Sequence, residues 1–494
     1  MRPPPHPLDI GESRYWGENR VSAREAWVLA GVLAVAAAAR VYGLGDKTLW
    51  YDEAISLWFA QRDPATLWWD TANFDFHTPF YYALLHYWVQ LFGDSEVALR
   101  SLSAALSFLS VPLVYALGRL LLGPAPAAFG ALAFAMSMTQ VWYAQEARMY
   151  ALLTFSAALA LYGAARVMAD QRRRRRETSA GRGWLGWVCY AAGAAAALWS
   201  HNTAVLLPLA VNLAVLGRWF GDGAGGARFL VRWLVAQAVV LALWAPWVPR
   251  ILDQARDVDQ SFWVKPPDAA TLAGAADLLY PTAPSGLVWL GPVLLAVVVA
   301  GAAVALRRER AVFAFLALAA FLPFVAEAAI STWKPVFLVR TLVWVQIPYC
   351  LLLAATWRLV PGRLGQVLLM GLVVGANLLW LAVYFTQFNK EPWAAVARDV
   401  AREAEAGDTL LFVDPVAHLS FEYYFRRYHA PLPRQTVMGA FPVARRDVLR
   451  KVDDAALATL ATRLAGAKRV WVIWRDPEIY DRTGAVTREL SRLG

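Results

Sequence analysis

Cysteine is almost missing from this chain. Two occur in 494 residues, Cys189 and Cys350, and both fall inside long apolar runs. Their spacing argues for neither a disulfide framework nor a thiolate metal site, which excludes a disulfide-stapled secreted protein. Charge is scarce too, at 17% against about 25% in soluble domains. Lysine is scarcer still: of 47 basic side chains only six are Lys. No internal repeat is evident, which counts against a secondary transporter built from inverted repeats. The first apolar run lacks a small-residue cleavage site and holds Arg40 at its far end. It therefore reads as an anchor and not as a cleaved signal peptide.

What fills the chain is apolar: 59% of residues, more than a water-soluble globule of this size can bury. A cytosolic enzyme and a disordered chain are both excluded. A membrane-crossing helix needs about 20 mostly apolar residues. Eleven candidates lie near Ala26–Tyr42, Val97–Leu122, Ala125–Trp142, Met149–Ala169, Trp184–Ser200, Thr203–Trp219, Phe229–Val248, Gly286–Leu306, Ala311–Ile330, Thr341–Trp357 and Leu364–Phe385.

The net charge of +10 has its explanation in these spans. Loops after even-numbered spans carry Arg172–Arg176, Arg182, Arg218, Arg228, Arg232, Arg307, Arg308, Arg310, Arg358 and Arg363, and the N-terminal segment adds Arg14, Arg20 and Arg24. The opposite side carries Asp52, Glu53, Asp63, Asp70, Asp75, Glu146, Asp253, Asp257 and Asp259. By the positive-inside rule the N-terminus is cytoplasmic and, after an odd number of spans, the C-terminus is external. The Arg172–Arg176 run is then a topology determinant, and no nucleic-acid partner is expected. An Ala- and Arg-rich, Lys-poor composition suits a GC-rich bacterial genome, so the expected location is the bacterial inner membrane with a periplasmic C-terminal domain.

Three external segments are long enough to matter. Residues 43–96 are aromatic-rich; Asp63-Pro64 reads as an N-cap with proline at the first helical position. Phe80–Phe92 has helical apolar spacing but is too short to span, and reads as an interfacial helix. The second segment is Pro249–Ser285, with Lys265-Pro266-Pro267 in its middle. The third is the tail, 386–494, where charges return. There 392–406 and 455–465 read as helices, and Asp408–Asp414 and Arg469–Arg475 as buried strands. The expected architecture is thus a polytopic α-helical membrane domain over 1–385 and a small α/β domain over 386–494, without a glycine-rich phosphate loop.

The polar residues worth chemistry gather on the external side. Asp52 and Glu53, in Trp50-Tyr51-Asp52-Glu53, lie just past the first span. Adjacent carboxylates at a membrane edge repel and lose solvation, so they are either a solvated cap or a general base or ligand. His77 precedes the interfacial helix. Tyr143-Ala144-Gln145-Glu146-Ala147-Arg148-Met149-Tyr150 joins spans three and four, and His201 joins spans five and six. Lys334 and Arg340 stand at the outer start of span ten, where cations suit a lipid-linked phosphate at headgroup depth. Glu327 lies within span nine, and an intramembrane carboxylate is costly enough to be a functional candidate by default.

The run Tyr51-Asp52-Glu53, His77-Thr78-Pro79-Phe80-Tyr81-Tyr82, Leu91-Phe92-Gly93-Asp94-Ser95-Glu96, Leu99-Arg100 and Tyr143–Tyr150 resembles the bacterial membrane glycosyltransferases related to protein O-mannosyltransferases and the lipid A aminoarabinose transferase. The resemblance implies the GT-C fold, a sugar donor on polyprenyl monophosphate, an active site at the outer surface and inversion at the anomeric carbon. It implies Asp52 as catalytic base with Glu53 beside it, and Glu146 as the second acidic position. Donor phosphate would meet Arg340, Lys334, Lys265 or Arg148. Tyr51, His77, Tyr81, Tyr143, His201 and Glu327 are the expected substrate contacts. Two departures stand out: Thr341 follows Arg340 where the family usually has Tyr, and Thr78 stands where it usually has Pro. No cofactor is expected; Asp52 with Glu146 could bind a divalent metal, but a monophosphate leaving group does not require one. The expected partners are the polyprenyl-linked donor, membrane lipids and a lipid, glycan or protein acceptor. A transporter or flippase of polyprenyl-linked sugars is the alternative; it needs polar residues at the membrane midplane, and the central spans have few.

Overall fold

The structure, a computed structural model, describes residues 21–174, 183–222, 226–261, 264, 266–275, 290–306, 310–357, 359–438, 442, 454–475, 481 and 483–493. Lys265, Arg182 and Arg358 lie outside the described residues, as do the first part of the Gly286–Leu306 span and much of the second external segment.

Each of the eleven expected spans contains helix. The helices that match them are α1 (Ala23–Val41), α5 (Glu96–Leu122), α6 (Pro124–Met136) with α7 (Met138–Ala144), α8 (Tyr150–Arg174), α9 (Trp184–Leu198), α10 (Leu206–Asp222), α11 (Gly226–Trp244), α14 (Leu290–Leu306), α15 (Arg310–Ile330), α16 (Gln346–Thr356) and α17 (Gly362–Thr386). Among the described residues seven helices are long and apolar enough to cross a membrane. Four of the eleven fall short of that measure. Helices α6 and α9 are too short, α1 carries Arg24, Glu25 and Arg40, and α14 is described only from Leu290 onward.

The third expected span is two helices, not one. It breaks at Ser137, and the break is made good by side chains. Ser137 Oγ and Gln140 Nε2 both donate to Gln346 Oε1 at 2.9 Å, and Gln140 Nε2 also donates to the Val343 carbonyl at 3.1 Å. The tenth span likewise opens as a 3₁₀ turn, Val339–Val345, before α16.

Packing is closest between α8 and α9. A Cβ on Gly163 would lie 2.2 Å from the Tyr190 amide nitrogen, and one on Gly193 would lie 2.4 Å from that of Ala160. Small residues let two backbones approach where apolar burial gives little drive between helices in lipid. Arg40, fully buried, ties α1 to its neighbours through Ser107 Oγ at 3.0 Å and the Ala135 carbonyl at 2.7 Å.

Between α1 and α5 lie three short helices on the side where the candidate site forms: α2 (Tyr51–Ala60), α3 (Pro64–Phe74) and α4 (Phe80–Phe92). Asp63 Oδ1 accepts from the amides of Ala65 and Thr66 at 3.1 Å, so the N-cap read from the Asp-Pro pair is formed. Two more helices, α12 (Val248–Ser261) and α13 (Ala269–Gly274), lie between α11 and α14.

After α17 the chain runs through α18 (Trp393–Glu403), β1 (Thr409–Phe412), α19 (Ala417–Phe425), β2 (Arg434–Val437), α20 (Asp454–Leu464), β3 (Val470–Ile473) and α21 (Ala485–Leu493). The strands form a parallel sheet in the order β2-β1-β3. Strand β1 is central and buried along its length, as a parallel strand covered on both faces must be. Strand β2 was not anticipated; Arg434–Val437 is a short, half-exposed run with no apolar periodicity to reveal it.

Candidate active site

The site begins at the first turn of α2. Adjacent residues on a helix point about 100° apart, and that rotation sends the two carboxylates of Asp52 and Glu53 to different surroundings. Glu53 turns inward and is fully buried. Its carboxylate accepts from Arg100 Nε at 2.8 Å and a second Arg100 nitrogen at 2.9 Å, from Lys390 Nζ at 2.9 Å and from the Ala147 amide at 3.0 Å. Burial pushes this carboxyl up, but Arg100 and Lys390 outweigh it and hold it at about 2. Glu53 is therefore ionised at neutral pH and fully buried, a clamp on the first turn of α2 and not an exposed neighbour of Asp52.

Asp52 keeps some contact with solvent, with 13% of its side chain exposed. Its Oδ2 lies 3.2 Å from Arg340 and 4.0 Å from Arg148. Burial again pushes up, while Arg148, Arg340, His77 and Arg475 together bring the carboxyl below the usual range. So Asp52 is ionised at neutral pH, between two guanidinium groups. Arg340 comes from the 3₁₀ turn before α16, and its guanidinium faces the Tyr150 ring at 6.0 Å.

Arg148 and Glu146, two residues apart in sequence, take different partners. Arg148 donates to Tyr82 Oη at 3.1 Å and approaches His77 at 3.5 Å. Glu146 accepts from Trp142 Nε1 at 2.6 Å and lies 3.9 Å from Lys390. Burial lifts the Glu146 carboxyl above its ordinary value; Lys390 opposes this and Glu53 adds to it.

His77 is oriented by Asp75, whose Oδ1 is 2.8 Å from Nδ1. Asp75 Oδ2 accepts from Tyr82 at 2.6 Å. Burial raises the Asp75 carboxyl, but His77, Arg148 and Tyr82 bring it below the carboxylate range. An aromatic wall continues from there. His201 packs on His77 at 5.3 Å and on Tyr150 at 6.3 Å, and Tyr143 packs on Tyr150 at 4.8 Å. Burial, then the charges of His77, Arg340 and Arg148, keep the His201 imidazole well below its ordinary value, so it is neutral at pH 7. The structure thus brings Asp52, His77, Tyr143, Glu146, Arg148, His201 and Arg340 together around one point.

Four expected site residues are used differently. Tyr81 is fully buried and shares a hydrogen bond of 2.8 Å with Ser103, so it packs α4 on α5. Glu327, also buried, accepts from the Leu338 amide at 3.2 Å and Thr341 Oγ1 at 2.8 Å. It caps the turn that presents Arg340, which explains an intramembrane carboxylate without a substrate contact. Lys334 Nζ donates to the Ala255 carbonyl at 2.6 Å. Tyr51 lies under the Arg475 guanidinium at 3.8 Å.

Arg100, Lys390, Glu391 and Arg475 were missed as site residues. In the sequence Arg100 stands out only as part of the Leu99-Arg100 motif. The other three sit in a tail where no local pattern pointed to the site, since their partners are some 300 or more residues away in sequence or depend on the fold of the sheet. Among the described residues no group of three His, Cys, Asp or Glu is placed to hold a metal ion.

The family model described as dolichyl-phosphate-mannose-protein mannosyltransferase matches residues 76–249. Among curated proteins none matches the sequence. In three dimensions the chain is similar to ArnT from Cupriavidus metallidurans in the apo state, with a TM-score of 0.58 at 16% identity over 86% of this chain and 87% of that one. ArnT bound to undecaprenyl phosphate gives 0.56 at 16% identity, over 91% and 90%. The Archaeoglobus fulgidus oligosaccharyltransferase tethered with an acceptor peptide gives 0.55 at 12% identity, over 86% of this chain and 64% of that one. Residues 76–249 thus match that family model, and the chain as a whole shares its fold with ArnT and the archaeal oligosaccharyltransferase.

Proposed function

We propose that the chain moves a sugar from a polyprenyl-monophosphate donor to a hydroxyl or amine of a lipid, glycan or protein acceptor, with inversion, at the outer face of a bacterial inner membrane. The carrying observation is the Asp52 carboxylate, ionised, partly exposed and held between Arg340 and Arg148. An acceptor hydroxyl must shed a proton as its oxygen attacks the anomeric carbon, and Asp52 receives it. The bond from that carbon to the phosphate oxygen breaks, and the polyprenyl phosphate leaves as an anion facing the two guanidinium groups. ArnT has been crystallised with undecaprenyl phosphate, a leaving group of this kind.

The resting site has an economy of charge. While no phosphate is bound, Arg340 and Arg148 rest on Asp52 and hold its basicity down. A donor phosphate competes for both cations, and as they turn to it the carboxylate regains basicity where it is needed. With two guanidinium groups in place for the leaving phosphate, no divalent metal is called for. In this reading residues 1–385 form the catalytic membrane domain, and 386–494 lie outside the membrane on the same face. The test is transfer by purified protein offered polyprenyl-phosphate-mannose, -glucose and -aminoarabinose with lipid extract, with and without EDTA. Polyprenyl phosphate released in EDTA supports the reading; a flippase releases none from any donor.

A further inference from the structure

We propose that Lys390 and Glu391, in the short connection between α17 and α18, are positioning residues of the active site. They fix the first turn of α2, and through it the Asp52 carboxylate. The inference rests on the role assigned to Asp52 above.

The first amides of a helix lack partners within it. In α2 the tail supplies one of them. Glu391 Oε2 accepts from the Tyr51 amide at 3.1 Å, a carboxylate set where the helix dipole favours negative charge. The neighbouring residues are tied in the same way. Thr48 Oγ1 donates to the Glu391 carbonyl at 2.5 Å, and the Leu49 amide donates to Tyr424 Oη at 2.5 Å. Glu53 accepts from Lys390 at 2.9 Å. Thus Thr48, Leu49, Tyr51 and Glu53 are each bonded to residues beyond α17. Asp52, in their midst, faces Arg340 and Arg148 instead.

Lys390 does more than close the turn. Its side chain is 2% exposed, and its Nζ also donates to the Gln145 carbonyl at 3.4 Å and lies 3.9 Å from Glu146. One ammonium group therefore joins the loop carrying Glu146 to the helix carrying Asp52. Glu391 is fixed in turn by Trp393 Nε1 at 2.6 Å and Arg475 Nε at 2.7 Å, and Arg475 pairs with Asp414 at 3.1 Å. Asp414 and Arg475 both stand two residues past the carboxyl ends of their strands, β1 and β3. The parallel sheet thus presents its carboxyl edge to α2 and acts as the rigid support of the catalytic turn.

Two variants and two readouts test this. In Lys390→Met, Arg100 still neutralises Glu53, so the fold is kept. Turnover is expected to fall about 100-fold, the effect of misplacing a reacting group by about 1 Å. The donor KM is expected to stay within about threefold, because a lost positioning contact acts on kcat more than on ground-state binding. Lys390→Arg is expected to recover about tenfold of that loss, which a merely stabilising lysine would not distinguish. Hydrogen–deuterium exchange is the second readout and needs no turnover. In Lys390→Met and in Glu391→Ala, amides of residues 50–54 should exchange about tenfold faster while those of α8 and α9 stay unchanged. Turnover of Lys390→Met within about threefold of wild type, or unchanged exchange at 50–54, overturns the inference. If wild-type protein turns over no donor, the assignment to Asp52 fails, and the exchange measurement still decides whether the tail positions α2.

Discussion

Glu53 and Asp52 are neighbours in sequence with opposite predicted phenotypes, and Glu53→Gln is the sharper perturbation. The Glu53 carboxylate is fully buried and balances both Arg100 and Lys390. Removing one member of a buried ionic cluster leaves charge uncompensated, at a cost of about 3–5 kcal/mol. Linkage gives a similar figure. The carboxyl is held at about 2 against an ordinary 4.5, and at 1.36 kcal/mol for each pH unit that is about 3 kcal/mol at neutral pH. The sign follows from the lowered value. The contribution is complete above pH 4.5, the ordinary value, and is lost as pH falls toward 2. Unfolding in mixed micelles, followed by tryptophan fluorescence at pH 7, should show Glu53→Gln weakened by about 3 kcal/mol, and Asp52→Asn by less, because its carboxylate keeps contact with solvent and Arg148 retains Tyr82 as a partner. Equal losses in the two variants, or a loss under about 1 kcal/mol for Glu53→Gln, would refute the division of roles.

Other outcomes follow from the same geometry. Arg340→Ala should weaken undecaprenyl phosphate binding about tenfold or more, measured by tryptophan quenching on titration, since a charge-assisted contact to phosphate is lost. Glu146 has a raised carboxyl, so its contribution to stability is present at low pH and fades as pH rises through the folded value. Glu146→Gln should accordingly melt closer to wild type, or above it, at pH 8 than at pH 4, which a pH series of melting curves would show. Gly163→Ala should force α8 and α9 apart and cost about 1–3 kcal/mol, seen as a lower melting temperature with the donor site intact.

The sequence carried the long apolar helices and the short helices between α1 and α5 because both rest on local signals: apolar runs of sufficient length, the Asp63-Pro64 cap and the spacing of Phe80–Phe92. It also placed Asp52, His77, Glu146, Arg148 and Arg340 on one face. It did not separate Asp52 from Glu53, because which of two adjacent helix positions faces the core depends on what packs there. Glu327 shows the converse. An intramembrane carboxylate is a fair functional flag, yet here it caps the turn bearing Arg340. Arg100 and Lys390 lay out of reach for another reason. Their meaning resides in contacts across 47 and 337 residues, which no window on the sequence spans. The break at Ser137 escaped notice because the run is apolar on both sides and its compensating acceptor, Gln346, is on another helix.

The most direct test of the central claim compares wild type with Asp52→Asn for release of polyprenyl phosphate from a polyprenyl-phosphate sugar, with binding of undecaprenyl phosphate measured on the same samples. The account predicts that Asp52→Asn folds and binds the lipid phosphate at least as well as wild type, because Arg340 and Arg148 are no longer held by a carboxylate, yet releases none from the sugar donor. Turnover of Asp52→Asn at the wild-type rate would contradict it.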